Sequence, residues 1–308
     1  MKILFITANR LGDAVISTGV LDALSQRFPQ ARFTVVCGPV AAGLFRPNPQ
    51  VERVIVLEKR KHDRHWLDLW RMCVTTRWAR VVDLRGSLIS LTLWAGARQI
   101  VRGGRRPGRR VVQLGDALGF SPTPMPCLWS TPEQEAQAAA LLPEGDILAL
   151  APTANWDGKI WPADRFVAVA EALRSEGLRP AVFYGPGDAE RARAQPVLDA
   201  LPDAYDLGGD HALGLVGALL KRCTLFVGND SGLMHLSAAA GTPTLGLFGP
   251  SKQSEYAPAG VAAFAISAPG PEGEAPIAGV SEDVVIEAAR GVLQECGTLA
   301  SYMTGSNT

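Results

Sequence analysis

The chain has 308 residues, 47% of them apolar, which suffices for two globular domains of about 150 residues each. Its 30 Lys and Arg balance 30 Asp and Glu, so no global field draws it to nucleic acid. Its longest apolar run, residues 86–97 between Arg85 and Arg98, falls short of the roughly 20 residues that span a bilayer, and its first residues lack the apolar run of a signal peptide.

In chain order, residues 3–6 form a continuous apolar run that predicts a first strand. The loop Asn9-Arg10-Leu11-Gly12-Asp13 follows, then a helix over 14–28 with Ile16, Val20, Leu24 and Phe28 on one face. Strands are predicted at 33–37 and 54–57, with a short helical pattern between them. A helix is expected over 62–78, a strand at 81–84, helical character over 87–96 and a strand at 99–101. The Arg- and Gly-rich residues 102–110 read as a basic loop.

The Pro-rich stretch 121–126 leads to a domain junction, placed at 143/144 after a helix that Thr131-Pro132 starts well. A second strand–helix alternation begins at 147–150. It continues with a helix at 163–176, a strand at 181–184 and helices at 188–198 and 213–222. The last helix is predicted at 283–294, and the polar tail 299–308 is expected to fray. Alternating strands and helices imply parallel, doubly wound sheets, one in domain 1–143 and one in domain 144–298.

The stretch 225–250 reads as strand, tight loop, helix, strand and loop. Gly228-Asn229-Asp230-Ser231-Gly232 is its turn, and Asp230 or Ser231 is suited to cap the next helix. Such a turn sets backbone N–H groups and a positive helix end at the carboxyl edge of a parallel sheet, where phosphates bind. Spacing alone equally describes an ordinary βαβ unit. Asp13 has two readings of the same kind: a helix cap, or a general base at the edge of the first sheet. Asp188, after a strand and Gly185-Pro186-Gly187, is either a helix cap or a ribose-binding carboxylate, with Glu190 as its rival.

Charge is uneven. Residues 59–110 hold 14 Lys and Arg against Asp63, Asp68 and Asp83, so this segment carries +11 and the rest −11. That asymmetry suggests an anionic partner on one side of the molecule. The five cysteines are odd in number, widely spaced and without a CxxC pair, as in a reduced cytosolic protein.

Three clusters together carry a resemblance: N-R-L-G-D-A-V-I-S-T-G at 9–19, N-W-D-G-K-I-W-P at 155–162, and D-S-G-L-M-H-L with G-T-P-T and F-G-P-S within 228–251. Their order and spacing resemble glycosyltransferase family 9, the lipopolysaccharide heptosyltransferases. The family commonly has Thr where this chain has Ser231, and Arg or His where it has Ile160. The resemblance implies an α/β fold of the GT-B type, two Rossmann-like doubly wound domains facing each other across a cleft. It implies inverting transfer of a heptose or related sugar from an ADP-sugar to a lipopolysaccharide-core or other phosphorylated glycolipid acceptor. Asp13 would be the catalytic base. Lys159, Asp188, Asp230, Ser231, Gly232 and His235 would hold the donor, with Asn155 and His211 as further donor-pocket candidates. Asn9, Arg10, Arg60, Arg85 and Arg105 are the candidate acceptor contacts. No cofactor or metal is implied, since Lys159 and the Ser231–Gly232 N–H groups suit a departing diphosphate and there is no Asp-x-Asp pair.

The basic segment, with Trp66, Trp70 and Trp78, also fits peripheral contact with an anionic inner-membrane surface from the cytoplasm, or plain solvated surface. Gly185-Pro186-Gly187 lacks the third glycine of a dinucleotide fingerprint, which argues against a nicotinamide enzyme. Other donor sugars on the same fold, and a catalytically silent nucleotide-binding scaffold at a membrane, are the alternatives.

Overall fold

A computed structural model describes residues 1–101, 107–143 and 145–305, with 297–305 as backbone only. Its contacts divide the chain into two compact units, Met1–Thr131 and Pro132–Thr308.

The first unit runs β1 (Lys2–Ile6), α1 (Leu11–Arg27), β2 (Arg32–Cys37), α2 (Ala42–Phe45), β3 (Val51–Val56), α3 (Arg64–Cys73), β4 (Trp78–Asp83), α4 (Ile89–Thr92), β5 (Ala95–Ile100) and α5 (Arg110–Ala117). Its five strands are parallel, in the order β3-β2-β1-β4-β5. β1 reads as unbroken apolar sequence because both its faces are covered. Leu4 and Ile6 pack with Leu69 and Cys73 of α3 and with Ile89 and Leu93, while Ile3 and Phe5 are buried on the opposite face.

The expected helix over 62–78 is shorter at both ends. His62 and Asp63 adopt positive φ, so α3 starts at Arg64. It ends at Cys73, before Val74-Thr75-Thr76, whose β-branched side chains disfavour a further turn. Trp78 instead opens β4, buried, its indole donating to the Cys73 carbonyl at 3.0 Å. The helical stretch expected over 87–96 is the single turn α4, because residues 95–100 pair with β4 as a strand.

The second unit runs α6 (Pro132–Leu141), β6 (Ile147–Ala151), α7 (Ala163–Arg174), β7 (Arg179–Val182), α8 (Asp188–Ala200), β8 (Tyr205–Asp206), α9 (Leu213–Lys221), β9 (Leu225–Asn229), α10 (Gly232–Ala240), β10 (Thr244–Phe248), α11 (Gln253–Tyr256), β11 (Ala263–Ser267) and α12 (Glu282–Gly305). Six parallel strands lie in the order β11-β10-β9-β6-β7-β8. Leu148, Leu150, Leu225, Val227, Leu245 and Leu247 bury one face under Phe166 and Val169 of α7 and Val285 and Ala289 of α12. α6, assigned by the sequence to the first domain, packs against α9 and groups with the second unit. The backbone of α12 is helical to Gly305, into the segment expected to fray. Strands β8 and β11 carry weak signals: one is two residues long, and the other is a half-buried edge strand.

Candidate functional site

Each sheet reverses its strand order once, between β1 and β4 in the first unit and between β9 and β6 in the second. In open parallel sheets the carboxyl ends of the strands at such a switch point form the ligand crevice. Some of the candidate residues of each unit lie there.

In the second unit the loops after β6 and β9 are tied together. Lys159, in the turn Asp157–Lys159, places Nζ 2.5 Å from Asp230 Oδ2, with side chains 23% and 7% exposed. Asn229, fully buried at the end of β9, accepts the Trp161 backbone N–H at 3.0 Å and so fixes the same two loops. Trp161 is buried, donating from Nε1 to the Val280 carbonyl at 2.9 Å, and Pro162 occupies the cap position of α7. The Lys-x-Trp-Pro element thus sends its lysine to the sheet edge and anchors its tryptophan in the core.

Ser231 holds the cap position of α10 in extended conformation, yet its hydroxyl makes no cap hydrogen bond, contrary to the sequence expectation. Asp230, the other expected cap, is engaged by Lys159 instead. The first N–H groups of α10 are therefore left without a side-chain cap at the positive helix end. Buried side-chain polar atoms ordinarily find partners. Among the described residues four have none: Ser25 Oγ in α1, and Asn229 Nδ2, Ser231 Oγ and Ser251 Oγ, the last three in the segments that end β9 and follow β9 and β10. A polar ligand seated at this edge would satisfy those three. Asn229 and Ser251 are the residues that sequence reasoning missed. Asn229 stood next to the recognised Asp230-Ser231-Gly232, but its burial could be read only from the fold.

Other donor-side candidates lie further out. His235, the fourth residue of α10, is 6% exposed and packs into the unit. Asp188 is exposed at the first position of α8. Glu190 turns back, accepting the Gly185 N–H at 3.4 Å and pairing with Arg193 at 3.3 Å. Arg193 also bonds Asp157 at 2.7 Å, which ties α8 to the Lys159 turn. Asn155 is exposed in the loop after β6, and His211 is half-buried between β8 and α9. Beside it, Gly208 lies so close to the Tyr184 ring that an added Cβ would meet it at 2.1 Å, so no larger residue fits.

In the first unit, α1 begins at Leu11, three residues earlier than expected. Asp13 is therefore inside the first helical turn and is not its cap, which is Arg10. Its carboxylate is partly exposed and has no hydrogen-bond or ion-pair partner among the described residues. Asn9, in the same loop, accepts a hydrogen bond from Arg85 Nη1 at 3.1 Å, which joins the loops after β1 and β4. The Arg85 guanidinium lies over the Trp66 ring at 5.0 Å. Gly38, after β2, allows Asn9 to come close: a Cβ there would sit 2.7 Å from the Asn9 Cα. Arg10 is exposed beside them. Arg60 stands apart, paired with Asp68 at 3.1 Å. Arg105 lies outside the described residues.

Comparison with known proteins follows the same lines. The family model described as glycosyltransferase family 9 (heptosyltransferase) matches residues 109–276. A curated relative, lipooligosaccharide heptosyltransferase 2 of Haemophilus influenzae, is 24% identical over 299 residues, covering 84% of this chain and 86% of its own. Among solved structures, the family 9 glycosyl transferase of Veillonella parvula superposes with a TM-score of 0.82 at 22% identity, covering 96% of this chain and 97% of its own. The E. coli ADP-heptose lps heptosyltransferase II does so at 0.77 and 22%, covering 96% and 99%. These likenesses show a fold of the GT-B type, with two Rossmann-like domains.

Proposed function

The chain belongs to glycosyltransferase family 9, whose model covers more than half of it, and from that premise we propose that it transfers a heptose from ADP-heptose to a phosphorylated glycolipid of the lipopolysaccharide core, with inversion and without a metal. The observation that carries the donor reading is the set of orphaned polar atoms beside the uncapped N-terminus of α10, joined there by the Lys159 ammonium. The solved relative named for ADP-heptose supports the choice of nucleotide.

In this reading Ser231 Oγ and the first N–H groups of α10 hold the diphosphate, and Lys159 neutralises it as the glycosidic bond breaks. Asp230 keeps the ammonium in place. Gly232 leaves the helix end open to the phosphate, and His235 backs the loop. Asp188 accepts the ribose hydroxyls, while Asn155 and His211 line the nucleoside pocket. The unpaired Asp13 carboxylate takes the proton from the acceptor hydroxyl as its oxygen attacks the anomeric carbon. ADP departs from the opposite face, through an oxocarbenium-like transition state. Arg85, held by Asn9 and Trp66, binds an anionic group of the acceptor, with Arg10, Arg60 and Arg105 contributing charge. A fixed ammonium and helix end supply the positive charge that a divalent ion would otherwise bring. No helix among the described residues is long and apolar enough to cross a membrane, which is consistent with work at the cytoplasmic face.

Incubation with ADP-heptose and a heptose-deficient core glycolipid, with EDTA present, tests this reading. Transfer with release of ADP is the expected result. Equal turnover of UDP- or GDP-sugars, or activity restored only by added metal, would overturn the corresponding part.

A further inference from the structure

We infer that residues 85–94 form a rigid apolar wedge by which the first unit docks on an anionic lipid bilayer. The segment turns two apolar side chains inward and three outward. Ile89 of α4 and Leu93 are buried in the core with Leu69 and Cys73 of α3, while Leu88, Leu91 and Trp94 are 80%, 61% and 61% exposed. Scattered exposed leucines need no explanation, but this group sits on a segment held fixed from below.

Asp83, fully buried at the end of β4, accepts the N–H groups of Arg85 and Ser87 at 2.8 Å each. It also accepts the hydroxyls of Ser87 and Ser90 at 2.5 Å each. Arg98 donates to the Ser90 carbonyl at 2.9 Å, to the Ala95 carbonyl at 3.2 Å and to the Leu93 carbonyl. Buried polar bonds of this kind fix backbone shape. The apolar side chains are therefore presented in a set conformation, without an ordering cost on binding.

The surroundings favour a membrane over a protein partner. The Arg77 guanidinium lies 4.0 Å from the centre of the Trp94 ring, which pairs an interfacial aromatic with a cation. α3 covers the same sheet face and exposes Leu67 and Trp70, at 47% and 37%, between Arg64 and Arg71. Arg64 and Arg71 beside Leu67 and Trp70, and Arg77 beside Trp94, are all exposed, so two copies meeting through this face would set like charges against each other. A bilayer with anionic headgroups takes both the apolar side chains and the cations. Trp66 and Trp78, which the sequence offered for this contact, are largely withdrawn: Trp78 is buried in β4 and Trp66 lies under Arg85. The wedge begins at Arg85, so docking there would bring the acceptor side of the first unit to the lipid surface. This link to an acceptor rests on the proposed function, whereas the docking itself does not.

The test is co-sedimentation of the full chain with vesicles of phosphatidylethanolamine and phosphatidylglycerol, and with phosphatidylcholine vesicles. The expected result is partition onto the anionic vesicles that weakens with salt. It should fall roughly tenfold or more in Leu88→Ser/Leu91→Ser and also fall in Arg77→Glu, with unchanged Tm. ADP binding, measured by calorimetry on the same proteins, should equal that of the parent chain, so failure of the docking and failure of the donor site are told apart. Undiminished vesicle binding in the double variant, no binding by the parent chain, or a dimer in sedimentation velocity that the double variant dissolves would each overturn the inference.

Discussion

Replacing Lys159 by Met separates the electrostatic role of the ion pair from simple packing. The change leaves the Asp230 carboxylate, 7% exposed, without the ammonium now 2.5 Å away. Stranding one member of a fully buried pair costs about 3–5 kcal/mol. Here the lysine end is 23% exposed, and the N-terminus of α10 returns roughly 0.5–1 kcal/mol to a nearby carboxylate. A net loss of about 2 kcal/mol follows, which in a unit of this size lowers Tm by about 4–8 °C. Asp230→Asn leaves an ammonium that can turn toward water, so its loss should stay below about 1 kcal/mol. Catalysis should respond more strongly if the lysine acts, as proposed, while charge develops on the departing diphosphate: kcat/KM is then expected to fall about 100–1,000-fold in Lys159→Met. The assays are thermal denaturation with and without ADP, and ADP release from ADP-heptose with acceptor. Saturating ADP, at about 100 times Kd, should stabilise the parent chain by roughly 2.7 kcal/mol, and the variant by clearly less at the same concentration. A Lys159→Met protein with parental kcat/KM and parental stabilisation by ADP would refute the reasoning.

Three further outcomes are expected. Asp13→Asn should lower kcat by about 100–10,000-fold while ADP affinity and Tm hold, because the carboxylate has no partner among the described residues to lose; retained kcat would remove Asp13 from the chemistry. Ser231→Ala deletes a hydroxyl that is already orphaned, so the free protein should lose no stability while ADP binding weakens about tenfold by calorimetry; parental affinity would mean the hydroxyl does not meet the ligand. Burial pushes the thiols of Cys37, Cys127 and Cys223 up to about 12 and that of Cys73 up to about 11. A folded pKa above the unfolded one gives stability that is full below the unfolded value and lost as pH rises. Between about pH 9 and 11 each thiol should therefore subtract roughly 1.4 kcal/mol per pH unit. Three of these four lie in the first unit, so iodoacetamide labelling on alkaline unfolding should reach Cys37, Cys73 and Cys127 before Cys223; the opposite order would contradict this.

Much of the fold was legible in the sequence wherever a strand is buried on both faces. Residues 3–6, 147–150 and 225–227 are unbroken apolar runs for that reason, and each proved to be a central strand. Reading failed where tertiary contacts decide. The apolar run 87–96 resembles a helix, but pairing with β4 draws residues 95–100 into a strand and leaves one helical turn. Trp78 looks like the end of an amphipathic helix, but it is the first residue of β4.

At the site, order and spacing brought forward Lys159, Asp230 and Ser231, which the fold assembles at one switch point, and Asp13 and Asn9 at the other. Sequence could not show that Ser231 makes no cap bond, nor that Lys159, 71 residues away in the chain, engages Asp230. Nor could it show the burial of Asn229 or the exposure of the wedge at Leu88, Leu91 and Trp94, since these follow from which face each residue turns to its neighbours.

The central claim is that the edge formed by Lys159, Asp230, Ser231 and α10 holds an adenosine diphosphate. Calorimetric titration of the full chain with ADP, UDP and GDP, each with EDTA and then with magnesium, measures it most directly. The account predicts binding of ADP that is unchanged by EDTA, weaker binding of UDP and GDP, and loss of the ADP heat in Lys159→Met. Preference for UDP or GDP, dependence on magnesium, or ADP binding indifferent to Lys159 would contradict it.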